Sequence, residues 1–201
     1  MRSKLLIISI LCASFSANLR AGEPVKFTYG LEWGPMLQTF SWENNTYVTN
    51  DLYLMVEKKN SWHRHLNGFV MAKAGLDVNH VNFSLLFGWK GLYKGMRTMP
   101  VEARVTYMFN TTESGTFLIY GGAGAGVNKK SNMPLLADLG GGYKYKIGNG
   151  VSLDIGLGFQ GAWAHPSEIW SYQDLEVVSA DRVRNSNHSA VGVKIFMALN
   201  L

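Results

Sequence analysis

The residues whose types and spacing come nearest to nucleophilic chemistry are His165 and Ser167, with Pro166 between them. Positions i and i+2 share one face of a β-strand, so an imidazole and a hydroxyl would stand side by side there. The blander reading is a strand end that runs into a proline-containing loop. The run Trp62-His63-Arg64-His65 offers two imidazoles but no identifiable third ligand, so no metal site is expected. The glycine-rich run over 121–126 matches neither G-x-G-x-x-G nor the Walker pattern, and no helix follows it. It reads as a row of small residues, and no cofactor is expected.

The chain that must position these groups begins unlike the rest. Arg2 and Lys4 precede a short apolar run over 5–13, and small residues follow at Ser14, Ser16, Ala17 and Ala21. This is the layout of a secretory signal over 1–21, cleaved after Ala17 or Ala21 and too short to cross a membrane as a helix. The single cysteine, Cys12, follows Leu11 rather than a small residue, so lipidation is not expected. The mature chain, 22–201, then has no disulfide and no catalytic thiol. With Arg2, Lys4 and Arg20 removed, the 19 basic residues become 16 against 14 acids, a net charge of +2. That balance gives no argument for nucleic-acid binding. No later apolar run approaches the length of a membrane helix, so membrane entry would require a barrel.

Period-two alternation dominates the mature sequence and predicts strands. Val151, Leu153, Ile155, Leu157 and Phe159 alternate with Ser152, Asp154, Gly156, Gly158 and Gln160; Val191, Val193, Ile195 and Met197 alternate with Gly192, Lys194, Phe196 and Ala198. Eight such segments can be marked, an even number suited to a closed antiparallel up-and-down barrel in a membrane. Strand-like stretches at 50–56 and 175–178 leave ten possible. Connections at 78–80, 111–115 and 148–150 are short, whereas 41–65, 91–99, 128–136 and 165–188 read as long loops. Short turns at one end and long loops at the other suit periplasmic and extracellular sides of an outer membrane.

The apolar faces would meet lipid, with aromatics at the two interfaces: Tyr29, Tyr107, Phe109, Tyr143 and Tyr145 at the turn end, Trp89, Tyr93 and Trp163 at the loop end. The opposite faces carry Glu32, Asp77, Glu102, Asp138 and Asp154 with Lys73, Lys90, Arg104, Lys144 and Lys194. Five acids against five bases predict a lumen filled by ion pairs and hydrogen bonds, without an open channel.

The run Met99-Pro100-Val101-Glu102-Ala103-Arg104-Val105-Thr106-Tyr107-Met108-Phe109, the following polar turn, the segment 117–126, the glycine-rich sixth strand and the alternating closing strand resemble the small outer-membrane barrels of the OmpA/OmpX type common in Bacteroidetes. Such barrels often end in an aromatic residue, where this chain has Leu201. The resemblance implies a bacterial outer-membrane location, with lipid, lipopolysaccharide and the barrel-assembly machinery as partners. The His165-Pro166-Ser167 motif is also similar to the His-x-Ser of the lipid A 3-O-deacylases. That likeness implies His165 as base, Ser167 as nucleophile and Glu176 as orienting acid. Pro166 and Glu168 depart from the family's pattern. The favoured expectation is a non-enzymatic barrel with a structural or surface-interaction role, using its long loops to meet an extracellular ligand. In those loops Lys129, Lys130, Arg182 and Arg184 could touch lipopolysaccharide phosphates. A soluble periplasmic binding barrel is a further alternative.

Overall fold

The computed structural model describes residues 25–92, 96–109, 112, 114–128 and 131–201. The signal segment, Tyr93, Lys129, Lys130 and the side chain of His63 lie outside the described residues. Ten strands follow in order: β1 (Lys26–Val48), β2 (Leu54–Val78), β3 (Val81–Gly91), β4 (Arg97–Met108), β5 (Gly115–Val127), β6 (Ser131–Gly148), β7 (Val151–Pro166), β8 (Ile169–Ser171), β9 (Glu176–Val178) and β10 (Val183–Asn200). Eight of them close an antiparallel barrel in the order β1-β10-β7-β6-β5-β4-β3-β2, while β8 and β9 form a separate two-stranded sheet. The 175–178 stretch is therefore a strand outside the barrel, and 50–56 becomes a turn and the start of β2.

The strands tilt. A ladder followed from Leu31 passes Ala72, Phe87, Val101, Ala125, Leu135, Trp163 and Ser189, and returns to β1 at Trp42. Closing a sheet on itself requires this stagger. At the turn end, β6 and β7 meet through Asn149 and Gly150, both at positive φ (52° and 84°). This backbone matches the twist of paired strands, and Asn-Gly tolerates it at little cost.

Wall polarity is inverted relative to a soluble protein. Leu85, Phe87, Leu139, Leu157 and Phe159 are exposed on the outside, whereas Lys194 is 0% exposed within. Tyr29, Tyr107, Phe109 and Tyr145 are exposed near the turns, Tyr143 packs edge-on to Phe117 and Tyr145, and Trp89 and Trp163 are exposed further up.

Two expected loops are largely strand. Segment 41–65 continues β1 and β2 as a paired hairpin that turns only at 49–53. Below Thr39 the odd residues of β1 face outward; above it Trp42 and Asn44 do, because the ladder is irregular between Gln38 and Phe40. A bulge of this kind reverses the face and breaks the alternation that marks a strand. Segment 165–188 contains the end of β7, both short strands and the start of β10. Likewise β4 begins at Arg97 and β6 at Ser131, which shortens the other two connections.

Candidate functional site

The lumen holds a charge cluster at mid-height. Glu32 accepts a bidentate pair from Arg104, whose Nη2 lies 3.1 Å from Oε1, and Lys194 Nζ reaches the same carboxylate at 3.3 Å. Asp138 Oδ2 accepts from Lys194 at 2.5 Å and from Arg104 at 3.4 Å, with Lys90 Nζ 3.8 Å away. Lys90 donates to Glu102 at 2.5 Å. Three acids thus meet three bases, brought from β1, β3, β4, β6 and β10. Enclosed charge is tolerated only when paired and hydrogen-bonded, as here.

The remaining four predicted lumen residues also face inward, nearer the turn end. Lys73 donates to Asn200 Oδ1 at 3.2 Å, Asn82 donates to Asp77 at 2.5 Å, and Lys144 Nζ approaches Met108 Sδ at 3.5 Å. Asp154 is buried, and its Oδ1 has no hydrogen-bond partner. A vestibule of about 740 Å³ opens at this end, lined by Lys26, Asp77, Lys144 and Lys146 and reaching Met108.

Polar pairing alone does not fill the interior. Phe69, Met71, Leu86, Met108, Leu118, Tyr120 and Phe196 form one buried cluster, and Leu92, Leu136, Ala162 and Ala190 with Met96 form another. The expectation of a lumen filled by ion pairs and hydrogen bonds is corrected accordingly. Lys194 Nζ lies 5.0 Å from the Phe69 ring and 5.1 Å from that of Tyr120, and Arg104 stacks 4.3 Å from Tyr120. The aromatic faces attract these cations as well as excluding water. Tyr120 also donates to Asp138 at 3.4 Å. A Cβ on Gly140 would come within 2.5 Å of the Tyr120 hydroxyl, so the glycine row seats this ring. These apolar residues stand on the faces that alternation marked as polar, so only one or two dissenting large residues per strand signalled them, Phe69 and Met71 on β2 and Leu118 and Tyr120 on β5 among them.

Beyond the barrel, the upper parts of β1, β2 and β10 form a three-stranded extension whose inner side is covered by β8 and β9. Tyr47, Ile169 and Val178 are buried between the layers, with Met55 and Val183 packed against them. Tyr47 Oη lies 2.7 Å from Ser171 Oγ, and Tyr172 N donates to Glu57 at 3.2 Å. Burial holds the Tyr47 phenol above its ordinary pKa. Lys59 sits 3.2 Å from the centre of the Tyr172 ring. At the tip, Leu52 and Leu175 both have positive φ and project outward, 85% and 71% exposed. Glu176 clasps the two turns together, accepting from Asn50 at 3.2 Å and from Arg182 at 2.8 Å. Those bonds, Arg182 first, hold its carboxyl below the usual range.

This clasp bears on the His-x-Ser reading. His165 and Ser167 are exposed at the end of β7, beside a cleft of about 360 Å³ that they line with Arg184 and Ser186. His165 Nδ1 lies 2.7 Å from the Ser186 carbonyl, which occupies the orienting position, while the Glu176 carboxylate is held by Asn50 and Arg182. The acid assigned by the deacylase likeness is therefore not placed on the imidazole. Among the described residues no group of three or more potential metal ligands occurs.

No protein-family model and no curated protein matches the chain. Among solved structures it is similar to Neisserial surface protein A (NspA), at 13% identity over 87% of this chain and 98% of that one, with a TM-score of 0.47. It is also similar to the Escherichia coli outer membrane protease OmpT, at 8% identity over 87% of this chain and 96% of that one, TM-score 0.24. The Salmonella secretin InvG aligns at 7% identity over 98% of this chain and 64% of that one, TM-score 0.28.

Proposed function

We propose that the chain is an outer-membrane barrel, exported with its leader removed after Ala17 or Ala21, inserted by the assembly machinery, and used for surface interaction rather than transport. The observation that carries this reading is the inverted wall: exposed apolar side chains outside, three buried carboxylates neutralised by three buried cations inside. A closed sheet satisfies its own backbone, which hydrocarbon demands. The apolar clusters above and around the charge cluster support a lumen without a conducting path. The paired extension and its β8–β9 cover supply a rigid extracellular apex, where the exposed Leu52 and Leu175 offer apolar contact to a ligand. The quoted motifs favour kinship with the small barrels common in Bacteroidetes.

The test is gel migration of the membrane fraction with and without boiling, together with single-channel recording. A heat-dependent mobility shift and no conductance are expected. Release of the protein into the soluble periplasmic fraction without detergent refutes the reading.

A further inference from the structure

The outer wall is not uniformly filled. Where β3 ends at Gly91 and β2 continues upward, a notch of about 630 Å³ opens on the outside of β1–β4. Trp33, Leu66, Val70 and Trp89 form its apolar sides, and Arg97, exposed at the start of β4, stands at its loop-ward end. Gly68 leaves the space open. A Cβ there would meet only the Gly34 carbonyl oxygen, at 3.6 Å, so backbone crowding does not demand glycine. A strand glycine without such a demand is unfavourable and often marks the close approach of a ligand. The notch lies within the volume range of small-molecule sites, about 300–1,000 Å³.

We propose that this notch binds a phosphorylated lipid of the outer leaflet, of the lipid A class, with one acyl chain between Trp33 and Trp89 and a phosphate on Arg97. The proposal rests on the outer-membrane reading. A guanidinium on an otherwise apolar outer face is costly at the membrane centre and favourable at the interface, where a phosphate can take two of its N–H groups. Its position at the long-loop end places it in the outer leaflet, which favours lipid A over a glycerophospholipid of the inner leaflet. Arg97 is the cation that lines the groove among the described residues, so the site is assigned one chain and one phosphate of a larger molecule.

The full chain, extracted from membranes in mild detergent, is examined by native mass spectrometry, then offered lipid A and phosphatidylglycerol in separate detergent micelles. One retained lipid A is expected for the wild type, and none for Gly68→Leu, whose side chain fills the notch. Arg97→Gln is expected to weaken retention about tenfold, the effect of one lost charge-assisted hydrogen bond. Equal occupancy in all three proteins, no lipid on the wild type, or a preference for phosphatidylglycerol overturns the proposal. Gly68→Ala and Arg97→Gln decide the matter if Gly68→Leu does not fold. Heat-dependent gel mobility is measured on the same samples. Its absence from the wild type defeats the barrel reading, whereas its presence without bound lipid defeats the notch alone.

Discussion

Removing Lys194 tests the lumen cluster most directly. Its ammonium is fully enclosed, 2.5 Å from Asp138 and 3.3 Å from Glu32. Lys194→Met leaves the six-membered cluster with one uncompensated negative charge. Breaking a buried pair in this way costs about 3–5 kcal/mol. The structure favours the lower end, near 3 kcal/mol, because Asp138 keeps Arg104 at 3.4 Å and Tyr120 at 3.4 Å, and Glu32 keeps its bidentate Arg104. Glu32→Gln removes that bidentate pairing and should cost about 4 kcal/mol. The double variant restores neutrality, so its loss should be about 4 kcal/mol rather than the sum, a coupling of about 3 kcal/mol. Urea unfolding in lipid vesicles, followed by heat-dependent gel mobility and tryptophan fluorescence, measures all three. Losses that add to within about 0.5 kcal/mol would mean the two charges act independently, and the account of a single neutralised cluster would be wrong.

Other outcomes follow from the same geometry. Leu85→Lys, on the exposed outer face of β3, should destabilise the vesicle-embedded protein by about 2–4 kcal/mol, against the roughly 0.5 kcal/mol of an ordinary water-facing site; the smaller value contradicts a lipid-facing wall. Gly140→Ala should push Tyr120 off Asp138 and lower stability by about 1–3 kcal/mol through overpacking, read from the same urea curves. The Glu176 carboxyl is depressed by Arg182 and then Asn50, so its contribution is present above the ordinary carboxylate range and is lost as pH falls through its folded value. In Arg182→Gln the Glu176 titration, followed by NMR, should move upward toward the ordinary range, and no movement disproves the clasp. Ser167→Ala should leave the lipid A mass spectrum of expressing cells unchanged; an acyl chain that reappears only in the variant restores the hydrolase reading.

Alternation by itself determined which residues of β3, β4, β7 and β10 face outward, because a pleated strand sends neighbours to opposite sides whatever its partners are. It also determined that the strands number about eight and that Lys194, Arg104 and Glu32 share the inside. Pairing within that inside was decided only by the closed, tilted sheet. Stagger sets which charges meet at one height, so Glu32 finds Arg104, 72 positions away, rather than a nearer base. Phe69, Leu86 and Tyr120 stand in the lumen by the same parity as the charges, but that they pack into one cluster was decided by the closed sheet, since alternation reads faces and not what meets across the interior. The bulge at Thr39 hid the upper half of β1 by reversing its face in mid-strand, whereas β2 keeps its even residues outward and its upper half went unread because Lys58, Asn60 and Arg64 there are polar. The fate of Glu176 likewise depends on two turns meeting at the apex, a contact between segments more than a hundred residues apart that no local pattern records.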